Sequence, residues 1–204
     1  MLRPYSGQSC RASTRILAPA GRYDEVVDTV ADALAAMPVG DPLDPSTVIG
    51  PLVSAAQRNR VEGYIELGKS EGAKLALGGG RPKGLDRGYY VEPTVFSGVR
   101  NDMRIAREEI FGPVLVVIRY DNEEEAIAIA NDSEYGLGGT VFTRDVEHGL
   151  DIARRVETGS IGVNFAGMAP NAPFGGVKSS GIGRESGPEG FEEYLTTKSI
   201  ARQA

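Results

Sequence analysis

The sequence predicts an α/β protein with a mostly parallel sheet and helices on both faces. Two observations lead there. Residues 114–118 read V-L-V-V-I, an unbroken β-branched and leucine run of the kind a strand shows when both its faces are covered. From that strand onward the chain alternates: a helix over about 122–132, a strand at 139–143, a helix at 145–157 and a strand at 160–164. Strand–helix–strand–helix–strand at this spacing predicts two parallel crossovers. A chain of 204 residues, 41% of them hydrophobic, is long enough to bury a sizeable core unaided.

The earlier elements follow from periodicity and punctuation. Residues 15–19 (R-I-L-A-P) read as a short strand ending at a proline. The stretch 22–37 places Tyr23, Val26, Val27, Val30, Ala31, Leu34 and Met37 on one helical face, with Asp24, Glu25, Asp28 and Asp32 largely opposite. Pro38 and Gly40 end it, and a Pro-, Asp- and Gly-rich loop fills 38–51. Ser54-Ala55-Ala56-Gln57 offers a capping box for a second helix, with Val61, Tyr64, Ile65 and Gly68 inward. Strands are expected at 73–77 and 91–96, the latter carrying a proline that suits an edge or a strand start. The last forty residues are glycine-dense and end in a short helix or turn followed by a strand. No break divides the chain before a tail that begins at about 185.

Composition narrows the function classes. The chain carries 28 acidic and 22 basic residues, a net charge of −6, with both signs interspersed. A nucleic-acid or anionic-membrane surface would need a basic patch. No apolar run approaches the roughly 20 residues of a membrane span. The N-terminus lacks a basic-then-apolar signal pattern, and one cysteine cannot form an internal disulfide. These features describe a soluble, cytoplasmic protein.

That cysteine, Cys10, follows a glycine turn in G-Q-S-C (7–10). As a lone cysteine it reads first as a small buried apolar residue. Against this, residues 10–14 can form a helical turn, which would set the sulfur at a positive end beside Arg11 and favour the thiolate. A backbone N–H there would also suit an oxyanion. A protease-like dyad needs a histidine, and the one histidine, His148, lies off the helical face marked by Val146, Leu150 and Ala153, toward water. No Cys or His cluster has metal-ligand spacing. G-G-V-K-S (175–179) lacks the glycine that a phosphate loop carries before its lysine, and G-I-G-R-E-S-G (181–187) misplaces the last glycine of a dinucleotide fingerprint. By these motifs the chain holds no dinucleotide-binding half of its own. E-E-I-F-G-P-V (108–114) runs straight into the buried strand. It is either a pair of surface carboxylates before a turn or a carboxylate held to accept hydrogen bonds from a sugar diol, with an aromatic to pack on a planar ring.

Jointly, G-Q-S-C (7–10), Y-V-E-P-T-V-F (90–96), E-E-I-F-G-P-V (108–114), N-D-S-E-Y-G-L-G (131–138), G-S-I-G-V-N (159–164) and P-F-G-G-V-K-S-S-G-I-G-R-E-S-G (173–187) resemble the aldehyde dehydrogenase superfamily. They occur in its order and at about its spacing, and the part they resemble is its C-terminal catalytic half. The resemblance implies that Cys10 is the nucleophile that attacks an aldehyde, giving a thiohemiacetal and, after hydride transfer to NAD or NADP, a thioester for water to hydrolyse. It implies that Glu109 binds the nicotinamide ribose hydroxyls and that Phe111 lies beside that ring. Asn164 and Phe174 would line part of the substrate pocket, and residues 194–204 would begin a subunit-joining strand. Residues 1–185 would thus be the catalytic domain and 186–204 an oligomerisation tail. Arg3, Tyr5 and Arg11 depart from the family's usual residues. The resemblance also places the cofactor domain, a second oxyanion donor and the general-base glutamate in a part that precedes Met1. Expected partners are a small aldehyde, a complementary cofactor-binding polypeptide and further copies of the chain. The other reading is a non-catalytic remnant or interaction module that associates through its docking surface and C-terminal strand.

Overall fold

The structure, a computed structural model, describes residues 4–203 apart from 168 and 170. Arg3 and Ala204 fall outside the described residues. The chain divides after Ser133 into two compact units.

The first unit runs β1 (Arg15–Pro19), α1 (Tyr23–Ala35), α2 (Ala55–Ser70), β2 (Lys74–Leu77), β3 (Thr94–Val99), α3 (Arg104–Arg107), β4 (Val114–Tyr120) and α4 (Glu123–Asn131). Its strands form one sheet in the order β1-β4-β3-β2. β1 and β3 run parallel to β4, and β2 is antiparallel to β3. β4 is the reason helices cover both faces. Successive side chains of a strand point to opposite faces, and here both sets are buried. Val114, Val116 and Ile118 pack with Val61 and Ile65 of α2, with Ile105 of α3 and with Phe96. Leu115 and Val117 pack with Val27 and Leu34 of α1 and with Ile49. α1 therefore buries the face its periodicity predicts: Val27 and Leu34 are buried, while Tyr23, Val26, Val30 and Met37 are half-buried against them. Pro93 stands immediately before β3, where a missing N–H breaks no ladder bond.

The second unit contains β5 (Tyr135–Gly136), β6 (Gly138–Val141), α5 (Val146–Arg155), β7 (Ser160–Val163), β8 (Val177–Lys178) and α6 (Gly187–Glu192). β6 and β7 pair in parallel, joined through α5, and β5 pairs antiparallel with β8. Of the two crossovers expected from the sequence, β6–α5–β7 forms as such. The other does not, because β4 and β6 belong to different sheets.

Two further expectations are corrected. α5 packs through buried Gly149 and half-buried Ile152 and Ala153, whereas Val146 and Leu150 are exposed. The face that packs is rotated about the helix from the Val146–Leu150–Ala153 face that periodicity marked, and only Ala153 is common to both. The C-terminal strand does not form: residues 195–203 have neither helix nor strand conformation, and Leu195 and Ile200 are exposed. An extended segment becomes a strand only against an edge that accepts its backbone hydrogen bonds.

Candidate active site

Cys10 lies in a turn before β1, and its thiol is free and exposed, not a core side chain. The turn is a single one, closed by Ala12 N–H donating to Ser9 C=O at 2.9 Å. The helical turn expected over 10–14 is cut short because Thr14 C=O already accepts from Val116 N–H, beginning the β1–β4 ladder. Among the described residues nothing accepts a hydrogen bond from the Cys10 N–H, which leaves that donor available beside the sulfur.

The backbone leading into this turn is unusual. Tyr5, Ser6 and Gly7 have φ of 50°, 58° and 77°, three consecutive left-handed residues. For the two that carry a Cβ this costs roughly 1–2 kcal/mol each. Such geometry persists only where its surroundings hold it. Ser6 is buried and its hydroxyl donates to Gly50 C=O at 2.9 Å. Gln8 donates through its side-chain amide to Tyr5 C=O at 3.0 Å and accepts from Val53 N–H at 2.9 Å.

The second candidate turn precedes β4. Glu109 is exposed, and among the described residues no donor engages its carboxylate. Phe111 is half-buried with φ 60°. α2 holds this turn from one side. The Gln57 side chain donates to Phe111 C=O at 2.7 Å and to Ile110 C=O at 3.2 Å, and Arg60 donates to Glu109 C=O at 2.5 Å. Half of the expected capping box is thus present: Ser54 Oγ accepts from Gln57 N–H at 3.2 Å, while the Gln57 side chain is used on the 109–111 turn. The backbone of this turn is fixed while the Glu109 carboxylate faces solvent.

The two turns meet at a pair of glycines. A Cβ on Gly7 would lie 2.3 Å from Gly112 O, and one on Gly112 would lie 2.5 Å from Val61 Cγ2. Backbone therefore packs on backbone, three residues after Glu109 and three before Cys10. The adjacent parallel strands β1 and β4 begin from the same edge, which is why segments a hundred residues apart come together.

Beside Glu109, Glu108 is committed elsewhere. Arg104 donates to it at 2.7 and 3.1 Å, and Tyr64 Oη donates at 2.7 Å. The hydrogen bonds from Arg104 and then Tyr64 hold the Glu108 carboxyl below the usual carboxylate range. A carboxyl lowered on folding adds stability above its unfolded range and loses it as pH falls through the folded value. Glu108→Gln should therefore flatten the decline in melting temperature as pH drops below the ordinary carboxylate range, measured by thermal melts across that interval. Glu108→Gln leaves Glu109 in place, so one carboxylate stabilises the turn while its neighbour is kept open.

The second unit carries the remaining predicted residues. Asn164 has φ 53°, and its amide accepts from Thr143 N–H at 2.8 Å and donates to Thr143 C=O at 2.7 Å. Its visible work is to tie the end of β7 to the turn before α5. Phe174 is half-buried and exchanges two backbone hydrogen bonds with Glu185, at 2.7 and 2.8 Å. His148 is exposed on α5, as expected, although the Val146–Leu150 face from which that was argued is itself exposed. Among the described residues no group of three or more His, Cys, Asp or Glu could hold a metal ion, and no helix is long and apolar enough to cross a membrane. The first unit carries Cys10, Glu109 and Phe111 on two segments that approach at Gly7 and Gly112. Gln8, Gln57 and Arg60 support them, and sequence reasoning missed all three in that role. The signal was faint: a Gln in the turn motif, and a Gln at the capping-box position.

A profile of the aldehyde dehydrogenase family matches residues 3–200. The chain is 61% identical over 195 residues to the geranial dehydrogenase of Castellaniella defragrans, covering 96% of this chain and 40% of that protein. Among solved structures it is similar to a Mycobacterium tuberculosis aldehyde dehydrogenase complexed with NAD+ (TM-score 0.91, 58% identity, 92% of this chain and 39% of that one). It is also similar to a cysteine-to-alanine mutant of aldehyde dehydrogenase C from Pseudomonas syringae complexed with NAD+ and octanal (TM-score 0.95, 50% identity, 98% and 41%). The chain thus spans about 40% of the length of these relatives. With the cysteine turn and the acid turn interlocked as described, and with the family profile spanning nearly all of it, this chain belongs to the aldehyde dehydrogenase family.

Proposed function

We propose that this chain supplies the nucleophile and part of the cofactor-contacting surface of an NAD(P)-dependent aldehyde dehydrogenase that oxidises an aldehyde to a carboxylic acid. The observation that carries the reading is the backbone contact of Gly7, three residues before Cys10, with Gly112, three residues after Glu109, with both the Cys10 thiol and Glu109 exposed. The Cys10 thiolate adds to the aldehyde carbon, forming the S–C bond while the carbonyl electrons move to oxygen. The Cys10 backbone N–H would donate to that oxyanion. When bound, NAD(P)+ supplies the hydride acceptor. Cys10 then carries the acyl group as a thioester until water releases the acid and the thiol.

The residues present fit that cofactor. The Glu109 carboxylate is uncommitted and can accept two hydrogen bonds from ribose hydroxyls, and Phe111 is held by its backbone and half-exposed beside it. Asn164 and Phe174 would contribute to the aldehyde pocket, with Asn164 acting through the loop it ties down. Residues 1–185 would form the catalytic domain, with 186–204 as a segment for association with further copies. Tyr194 and Ile200 in that segment are 87% and 85% exposed, apolar surface that favours a partner. A complementary cofactor-binding polypeptide would complete the site. The test is to combine the chain with such a polypeptide, NAD+ and a medium-chain aldehyde, and to follow NADH at its absorbance band. Turnover that needs both polypeptides is expected; none in any combination would contradict the reading and favour a non-catalytic module.

A further inference from the structure

We infer that Gln8 is the positioning residue of the nucleophile turn, setting where the Cys10 sulfur and N–H point by tying the turn to the N-terminal end of α2. This rests on the reading of Cys10 as the nucleophile. Tyr5 is 79% exposed, so side-chain packing does not hold its left-handed conformation. Its carbonyl instead receives two donors, the Gln8 backbone N–H at 3.0 Å and the Gln8 side-chain amide at 3.0 Å. The other end of the same amide accepts the Val53 N–H at 2.9 Å. Val53 immediately precedes Ser54, the cap of α2, and α2 holds the 109–111 turn through Gln57 and Arg60. The hydrogen bonds therefore form a closed circuit: from the cysteine turn to α2, on to the acid turn, and back through the Gly112–Gly7 contact.

Both ends of the amide matter, one as donor and one as acceptor, which a carboxylate or an apolar isostere cannot reproduce. Gln8→Glu keeps an acceptor for Val53 but sets a carboxylate oxygen against the Tyr5 carbonyl. Gln8→Met keeps the length and removes both bonds. In the completed site, displacing the reacting atom by about 1 Å can cost on the order of a hundredfold in rate.

Cys10 is the one cysteine in the chain, so alkylation reports it alone. The experiment measures iodoacetamide alkylation at neutral pH for the folded chain and for the same chain in urea, alongside thermal melts. The variants are Gln8→Met, Gln8→Glu and Leu34→Ala, the last a core truncation away from the turn. The folded parent is expected to alkylate at a rate distinct from its unfolded form, because the ordered turn fixes how the reagent approaches the exposed sulfur. Gln8→Met should move most of the way to the unfolded rate while still melting cooperatively, and Gln8→Glu part of the way. Leu34→Ala should lower the melting temperature and leave the folded rate unchanged. If Gln8→Met does not fold, Gln8→Glu decides. A parent that alkylates identically folded and unfolded would overturn this inference but not the nucleophile reading, which falls only if Cys10→Ala leaves turnover of the complemented enzyme intact. A folded Gln8 variant that keeps the parent's distinct rate would overturn the inference alone.

Discussion

Replacing Cys10 with alanine is expected to abolish aldehyde oxidation, by about 10⁴-fold or more in kcat/KM, because the covalent route has no second thiol to use. The same change should alter stability by no more than about 0.5 kcal/mol, since the side chain is exposed and replaces no packing. The pairing of a large functional effect with a negligible structural one is the diagnostic. Cys10→Ser should behave similarly, because an unactivated hydroxyl is a far weaker nucleophile than a thiol. The measurement is initial rate in the complemented enzyme beside a urea titration of the chain. A variant that retains activity within tenfold would remove Cys10 from the mechanism.

Gly7→Ala is the largest structural effect expected. Its φ of 77° disfavours any Cβ, and that Cβ would lie 2.3 Å from the carbonyl oxygen of Gly112, a backbone atom unable to rotate aside. The two penalties together should cost about 2–4 kcal/mol. Gly112→Ala lacks the dihedral penalty but drives a Cβ to 2.5 Å from Val61, which is wholly buried, and should cost about 1–3 kcal/mol. Gly63→Ala is the contrast. It sits in α2, exposed, with nothing within 4 Å of the added Cβ, and should stabilise by about 0.5–1 kcal/mol. Urea midpoints at constant m-value separate these cases. Equal losses at positions 7 and 63 would show that the close approach of the two turns is not what constrains Gly7. Because the circuit runs through Gly7, its alanine variant should also disturb Cys10 alkylation, whereas the Gly63 variant should not.

What could be read in the sequence follows the range over which each signal acts. α1 was legible because its apolar positions recur at helical spacing within one segment, and β4 because a five-residue apolar run leaves both faces buried. β3 was expected over 91–96 and forms at Thr94–Val99 as an inner strand: the proline suits a strand start but not the edge, and the strand begins after it. Cys10, Glu109 and Phe111 stood out because each sits in a compact motif with unusual neighbours. The residues that hold them did not. Gln8 reaches Val53, and Gln57 reaches Phe111, across separations of 45 and 54 residues. No local pattern records such a bond, and the glutamine at the capping-box position pointed to the wrong partner. The exposed Val146 and Leu150 of α5 fail for a related reason. Periodicity finds apolar positions, but on α5 the neighbour meets the side of Gly149 and Ile152, where a glycine carries no apolar signal. The C-terminal strand has the composition of a strand, and its formation depends on an edge to pair with.

The central claim is that an acyl group is carried on Cys10 between the two half-reactions. The direct measurement is mass spectrometry of the complemented enzyme, acid-quenched during turnover with NAD+ and an aldehyde it oxidises, followed by peptide mapping. An acyl thioester of that aldehyde's carbon skeleton on the peptide containing Cys10, absent without NAD+, is the predicted result. Carboxylic acid formed at full rate by the Cys10→Ala variant would contradict it.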